Sequence, residues 1–404
     1  MVKKLGYVLI IFIFVALGGA GWFFSGVIYE GGLNPDFNDT ESIGTAEDRV
    51  LVSSISSNSI VLNVEEEMWG PLLEKGIYGI IGQNGDAVVG DIISTNGTFV
   101  ERSLINLNGT LVEGDKIRGT SLVVREDTGE FKILGTSSWS GQASEGVYTP
   151  KSVSGLDYET IYYQSDLGEF PAYLTNDGDV GIVIFVHGFR GDYSREVFAK
   201  MRAGEIVDMG YRSMIISYRN DKGLPKDPSG IFQYGTTEWK DIDGAIDKAL
   251  EFTDNVVLWG TSGVGGPISS WLGNVGDKRK VKGIIYEAPV INFWESVEVN
   301  GAARYPWVPK QLYGYFKIFT EIRYGIDFEN MDFTDNVINS DIPALLFHGD
   351  DDEWVPVEMS DFIAENRDTN FTYIRYENVG HVTSWNADPD NYVYQLDTFL
   401  SGLD

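Results

Sequence analysis

The sequence predicts an α/β fold, a mostly parallel sheet flanked by helices, preceded by a transmembrane helix and a small β-rich domain. Three observations carry this. Residues 1–30 begin with an apolar run flanked by charge. Residues 49–150 hold short β-type runs punctuated by turn signals. From about residue 155, buried-type strands alternate with stretches of helical spacing, the pattern of a layered α/β sheet.

The first element is a membrane anchor. Leu5 to Tyr29 carries no charge over about 25 residues, enough to cross a hydrocarbon core of about 30 Å. Lys3 and Lys4 precede it; Glu30, Asp36, Asp39 and Glu41 follow. The positive-inside rule then puts the N-terminus in the cytoplasm and the rest outside, a single-pass protein of the cell membrane. The alternative is a cleaved signal peptide, for which Gly18 and Ala20 have the right size. The apolar run continues, however, through Trp22, Phe23, Phe24, Val27 and Ile28. Residues 31–48, polar and acidic, read as a tether.

Residues 49–150 form the β-rich domain. Runs such as "RVLVSSI", "DAVVGDIIS" and "TSLVVRE" are separated by signals including Asn84-Gly85, Asn96-Gly97 and Asn108-Gly109. This spacing suits a small sandwich or barrel. With no histidine and scattered acids, it is expected to serve in spacing, packing or binding a protein partner.

In residues 151–404, "GIVIFVHG" is a continuous apolar run of the kind buried parallel strands show. "SMIISY", "NVVLWG", "VKGIIYEAP", "PALLFHG" and "FTYIRYEN" follow, with helical stretches near 193–208, 237–252, after 265 and 390–402. In the helix near 237–252, Thr237 is the expected N-cap and Glu238 suits the helix dipole.

Composition narrows the function. Lys plus Arg number 30 and Asp plus Glu 60, a net charge of −30 that repels nucleic acid. Without cysteine there are no disulfides, thiolate metal sites or cysteine nucleophiles.

The chemistry gathers at strand ends. "VVLWGTSGVGG" nearly matches G-x-S-x-G, the sharp turn that exposes a nucleophilic serine. Gly260 and Ser262 fit; Val264 stands where glycine is wanted. Three histidines are present, each after a predicted strand. His187 and His348 are expected to close strand ends by hydrogen bonding, which leaves His381, in a loop, as the best-placed base. Among Asp350 to Glu353 one acid can hold the imidazole tautomer and stabilise its charged form. The turn at Gly188 offers the amide of Phe189 as one oxyanion donor; the amide of Gly263 is the second. Serine, acid, histidine is the chain order of α/β hydrolases.

On "IVIFVHGFRG", "VVLWGTSG", "LLFHGDDDEWVPVEMSD" and "GHVTSWNADPDNY", residues 155–404 resemble the α/β-hydrolase superfamily, and more narrowly bacterial membrane-anchored or exported serine hydrolases related to serine aminopeptidases and prolyl-oligopeptidase-like enzymes. The resemblance implies an α/β-hydrolase fold. In that family, H-G-x-x-D-x-x-V-P places the catalytic acid at the fifth position, which implies Asp352, and G-H-x-x-x-W marks His381. Val264 departs from the pattern: a β-branched side chain adds bulk where the helix after the turn passes close to the sheet. Gly265 and Gly266 follow at once, so the close contact has room to move along by one residue.

Between "YEAPV" and "IPALLFHG", a lid-like insertion at about 291–340 is rich in Phe293, Trp294, Tyr305, Trp307, Tyr313, Tyr315, Phe316, Phe319 and Tyr324. It reads either as a lid over an apolar substrate or as ordinary packing. Trp354 and Trp385 are expected to wall the site or to pack behind it. The function expected is ester hydrolysis through an acyl-enzyme, without metal or cofactor, on a small-molecule ester. A peptidase of the same mechanism, acting on a peptide, is the first alternative. A weakened hydrolase fold serving as a binding module is the second.

Overall fold

The computed structural model describes residues 17–35, 50–64, 71–126, 128–134, 148–189 and 197–403. Residues 1–16 of the expected anchor and 36–48 of the expected tether lie outside them.

The chain enters through α1 (residues 17–28), which runs into a π-helical turn, Tyr29–Leu33. Among the described residues no helix is long and apolar enough to cross a membrane. Instead α1 lies on the protein. Phe24, Ser25 and Leu33 are buried, and the Leu33 carbonyl accepts from the Phe232 amide.

Six strands then close a barrel: β1 (Val50–Ile55), β2 (Ser59–Asn63), β3 (Tyr78–Gly82), β4 (Gly85–Asn96), β5 (Phe99–Gly109) and β6 (Lys116–Thr120), in the order β1-β2-β5-β4-β3-β6. Period-two alternation turns Val50, Val52, Ile60, Leu62, Ile80, Val89 and Ile117 into its interior. Closure leaves no free edge in this small sheet. Gly97, at φ +61°, supplies the hairpin turn between β4 and β5. Asn108-Gly109 makes no such turn: β5 runs on through it, because Gly109 pairs with Gly85. A ribbon of β7 (Val123–Arg125) and β8 (Phe131–Ile133) follows.

The second sheet has eight strands: β9 (Tyr158–Ser165), β10 (Gly168–Thr175), β11 (Gly181–Val186), β12 (Tyr211–Ile216), β13 (Val256–Thr261), β14 (Val281–Glu287), β15 (Ala344–Gly349) and β16 (Phe371–Tyr376). Their order is β16-β15-β14-β13-β11-β12-β10-β9, with β10 antiparallel to both neighbours and the rest parallel. This is the topology of the α/β-hydrolase fold. Every residue of β11, β13 and β15 is buried, as continuous Val/Ile/Leu runs require when helices cover both faces.

Helices α2 (Pro150–Ser154), α3 (Phe198–Val207), α4 (Trp239–Ala249) and α5 (Gly265–Asn274) precede the insertion. The insertion itself contributes α6 (Phe293–Arg304), α7 (Tyr313–Tyr324) and α8 (Thr334–Ile338); α9 (Val357–Asn366), α10 (Ser384–Ala387) and α11 (Pro389–Ser401) complete the chain. Helix α4 does not start as the sequence suggests. Its first residue is Trp239, and the hydroxyl of Thr237 donates to Asp227 at 2.6 Å instead of capping the helix. The Glu238 carboxylate is buried and turns back to accept from the Gln233 and Gly235 amides at 2.8 and 2.9 Å.

Candidate active site

The site lies beyond the carboxyl ends of β11, β13, β15 and β16, where parallel strands present their loops to ligands. At the end of β13, Ser262 adopts φ +56°, a left-handed conformation that a serine takes only under constraint. The turn is held by the Val290 amide, which donates to the Ser262 carbonyl at 2.8 Å. It also depends on glycine at close quarters. A methyl group on Gly260 would come within 2.6 Å of Ile268.

Val264 causes no obstruction. Its side chain is fully buried in the core, and the tight approach occurs at the next two residues. A methyl on Gly265 would meet Pro289 at 2.5 Å, and one on Gly266 the Tyr234 carbonyl at 2.1 Å.

The structure brings Ser262, His381 and Asp352 into one chain of hydrogen bonds. His381 Nε2 lies 2.9 Å from Ser262 Oγ, and Nδ1 lies 2.7 Å from Asp352 Oδ2. Of the four adjacent acids, the others face elsewhere or further out. Asp350 accepts from Arg375 and from the Asn378 amide, and Glu353 sits on the cavity rim. Burial pushes the Asp352 carboxyl up. The charge of His381 and the hydrogen bonds from His348 and His381 outweigh that and hold it well below the usual carboxylate range. Its second oxygen accepts from the Trp354 and Val355 amides at 2.8 and 2.9 Å. Asp352 is therefore a fixed anion beneath the imidazole.

His348 has more to do than close a strand. Its Nε2 lies 3.1 Å from Asp352 Oδ2, and its Nδ1 lies 2.7 Å from Ser360 Oγ. Because the carboxylate can only accept, Nε2 carries the proton and Nδ1 accepts from the Ser360 hydroxyl. His187 faces another way: it bonds Asp221 at 2.9 Å and stacks on Tyr218.

The Gly188-Phe189 turn lies directly against the serine. A methyl on Gly188 would sit 3.2 Å from Ser262 Cβ, and one on Gly263 only 3.1 Å from the Phe189 amide nitrogen. The backbone at Phe189 thus lies alongside that of Gly263.

Over these groups opens a cavity of about 860 Å³. Ser262, Gly263 and His381 form its floor; Phe293, Tyr305, Tyr313 and Phe316 of the insertion form one side. Trp354 lines it, whereas Trp385 is buried behind the site, under the guanidinium of Arg202. A further part of the lining was not legible in the sequence: Phe24, Val27, Ile28, Gly31 and Gly32, from α1 and the turn after it. The Phe24 ring packs 4.5 Å from Phe316 and 5.3 Å from Tyr305. Tyr29 stacks on Tyr324, and Arg323 donates to the Trp22 carbonyl and the Ser25 hydroxyl. Among the described residues no cluster of His, Asp and Glu is arranged to hold a metal ion.

No protein-family model and no curated protein matches this chain. Solved structures do. An esterase of Pyrococcus furiosus aligns with TM-score 0.49 and 19% identity over 63% of this chain and 94% of its own. An esterase from Exiguobacterium antarcticum aligns with TM-score 0.44 and 19% identity, over 60% of this chain and 100% of its own. A bromoperoxidase from Bacillus anthracis aligns with TM-score 0.43 and 17% identity over the same shares. At these identities the likeness is one of fold.

Proposed function

We propose that the protein is a serine hydrolase that cleaves carboxylic esters with an apolar acyl group. One observation carries the reading: His381 bridges Ser262 and Asp352 at the floor of a largely apolar cavity. Ser262 Oγ attacks the ester carbonyl while His381 Nε2 takes its proton. Asp352, already anionic, stabilises the imidazolium. The amides of Phe189 and Gly263 receive the developing oxyanion. The alcohol leaves with the proton from His381, and water, activated by the same imidazole, releases the acid from the acyl-enzyme.

The proposal includes attachment to the membrane through residues 1–30, with the N-terminus cytoplasmic and the catalytic part outside. Two features favour it. The run from Leu5 continues without charge into α1. On α1, Trp22 and Phe23 are exposed, and α7 beside it exposes Ile318 and Ile322. Apolar surface of that kind, with a tryptophan in it, suits a lipid interface.

A second reading, an aminopeptidase-like hydrolase, draws on Glu353, whose carboxylate on the cavity rim is placed to hold a substrate ammonium group. Parallel assays with p-nitrophenyl acyl esters and aminoacyl p-nitroanilides decide between the two. Ester turnover exceeding amide turnover upholds the first. Preference for the aminoacyl amide, lost in Glu353→Gln, replaces it with the second.

A further inference from the structure

We infer that the β-barrel is a positioning element for the catalytic histidine, acting through Glu74. The inference rests on the triad reading above and extends it to a part of the chain that carries no catalytic group.

His381 sits in a loop between β16 and α10, and the barrel grips that loop on both sides of it. The Glu74 carboxylate accepts from the Thr383 hydroxyl at 2.8 Å. A methyl on Gly380 would lie 2.3 Å from Glu74 Oε1, so the carboxylate lies against Gly380 and Thr383, on either side of His381. The Lys75 amide donates to the Asn378 carbonyl at 3.3 Å. The Ile77 amide donates to the Asn386 carbonyl, and the Asn386 side chain donates back to the Ile77 carbonyl, each at 2.7 Å. The same side chain reaches the Ser121 carbonyl at 3.1 Å.

The gripping segment is itself fixed from inside the barrel. Arg102 is fully buried and donates to the carbonyls of Leu72, Glu74, Gly76 and Gly90 at 2.6 to 2.9 Å. The Tyr78 hydroxyl donates to Glu74 at 2.8 Å, which aims the carboxylate.

The loop needs such support. Val382, next to His381, holds φ +57°. For a β-branched residue that conformation costs on the order of 1–3 kcal/mol and persists only where the surroundings impose it. Groups of the barrel-side segment, at Glu74, Lys75 and Ile77, hold the chain on both sides of that residue. A freed loop relaxes Val382 and moves the imidazole off Ser262, and misplacement of about 1 Å lowers turnover about 100-fold.

The test uses the full chain and four variants: Glu74→Ala, Glu74→Gln, Thr383→Val and the double variant Glu74→Ala/Thr383→Val. Ester kcat, KM, the rate of fluorophosphonate labelling and Tm are read for each. Glu74→Ala is expected to lower kcat and the labelling rate together, about 10- to 100-fold, with KM within about twofold. Glu74→Gln, whose amide oxygen still accepts from Thr383, is expected to restore most of the loss. Thr383→Val is expected to match Glu74→Ala, and the double variant to be no worse than either, the signature of one shared interaction. A folded Glu74→Ala with undiminished kcat overturns the inference, as do additive losses in the double variant. If Glu74→Ala fails to fold, Thr383→Val decides alone. Failure of the triad reading shows separately, as absent ester turnover and absent labelling in the unmodified protein.

Discussion

The barrel and helix α1 both lie outside the eight-stranded sheet, and both reach the candidate site, but by opposite chemistry. The barrel contributes carboxylate, amide and carbonyl groups to the back of the His381 loop. Helix α1 contributes phenylalanine, valine and isoleucine side chains to the front of the cavity. Directional bonds suit a group whose angle matters, and apolar surface suits a wall that must fit a chain of variable length. On the proposed function, one appendage bears on the rate of the chemistry and the other on which ester enters.

Breaking the barrel contact gives the largest effect. Gly76 has φ +117°, and a methyl there would lie 2.1 Å from the Asn386 carbonyl. Gly76→Ala is expected to lower kcat by about 100-fold while leaving the relative preference among ester chain lengths as it is. Breaking the helix contact gives a smaller and different effect. Phe24→Ala removes apolar surface worth about 1.5–3 kcal/mol, so kcat/KM for an octanoyl ester is expected to fall about tenfold relative to an acetyl ester. If Phe24→Ala depresses both esters equally, or Gly76→Ala shifts chain-length preference, the division of labour is wrong.

The smallest effect comes from a group neither region touches directly. Glu287, at the end of β14, is fully buried and accepts from the Tyr392 hydroxyl at 2.7 Å. Burial pushes its carboxyl up to about 7, with that hydrogen bond only partly opposing. Its folded pKa lies above its ordinary value, so the stability it lends is complete at low pH and is lost as pH rises to about 7. Glu287→Gln, which mimics the protonated acid, is expected to flatten the decline of Tm between about pH 5 and pH 7 with little change in turnover at pH 7.

Much of the sheet was legible, because a parallel strand buried on both faces is written locally as an apolar run, as in β11 and β15. The elbow at Ser262 and the loop histidine were legible for the same reason: each is a local pattern at a strand end. The four acids from Asp350 to Glu353 were not separable by residue type. The hydrogen bonds to His381 and His348 distinguish Asp352, and they depend on how the strands splay. The contacts between Glu74 and Thr383, and between Phe24 and Phe316, join residues some 300 positions apart along the chain, and no periodicity encodes such pairs. Helix α1 is the instructive case. An uncharged run reads alike whether lipid or protein covers it, and residues 17–33 here lie against protein on one side. Thr237 shows the reverse limit: a residue with the right chemistry for a cap found a nearer partner in Asp227.

The most direct test of the central claim, that Ser262 is activated by His381, is reaction with a fluorophosphonate followed by peptide mass analysis. The account predicts a single adduct on the peptide containing Ser262, absent in Ser262→Ala, slowed strongly in His381→Ala, and accompanied by loss of ester turnover on the order of 10⁶ in Ser262→Ala. Ester turnover by Ser262→Ala equal to that of the unmodified protein, or an adduct at another residue that abolishes turnover, would contradict it.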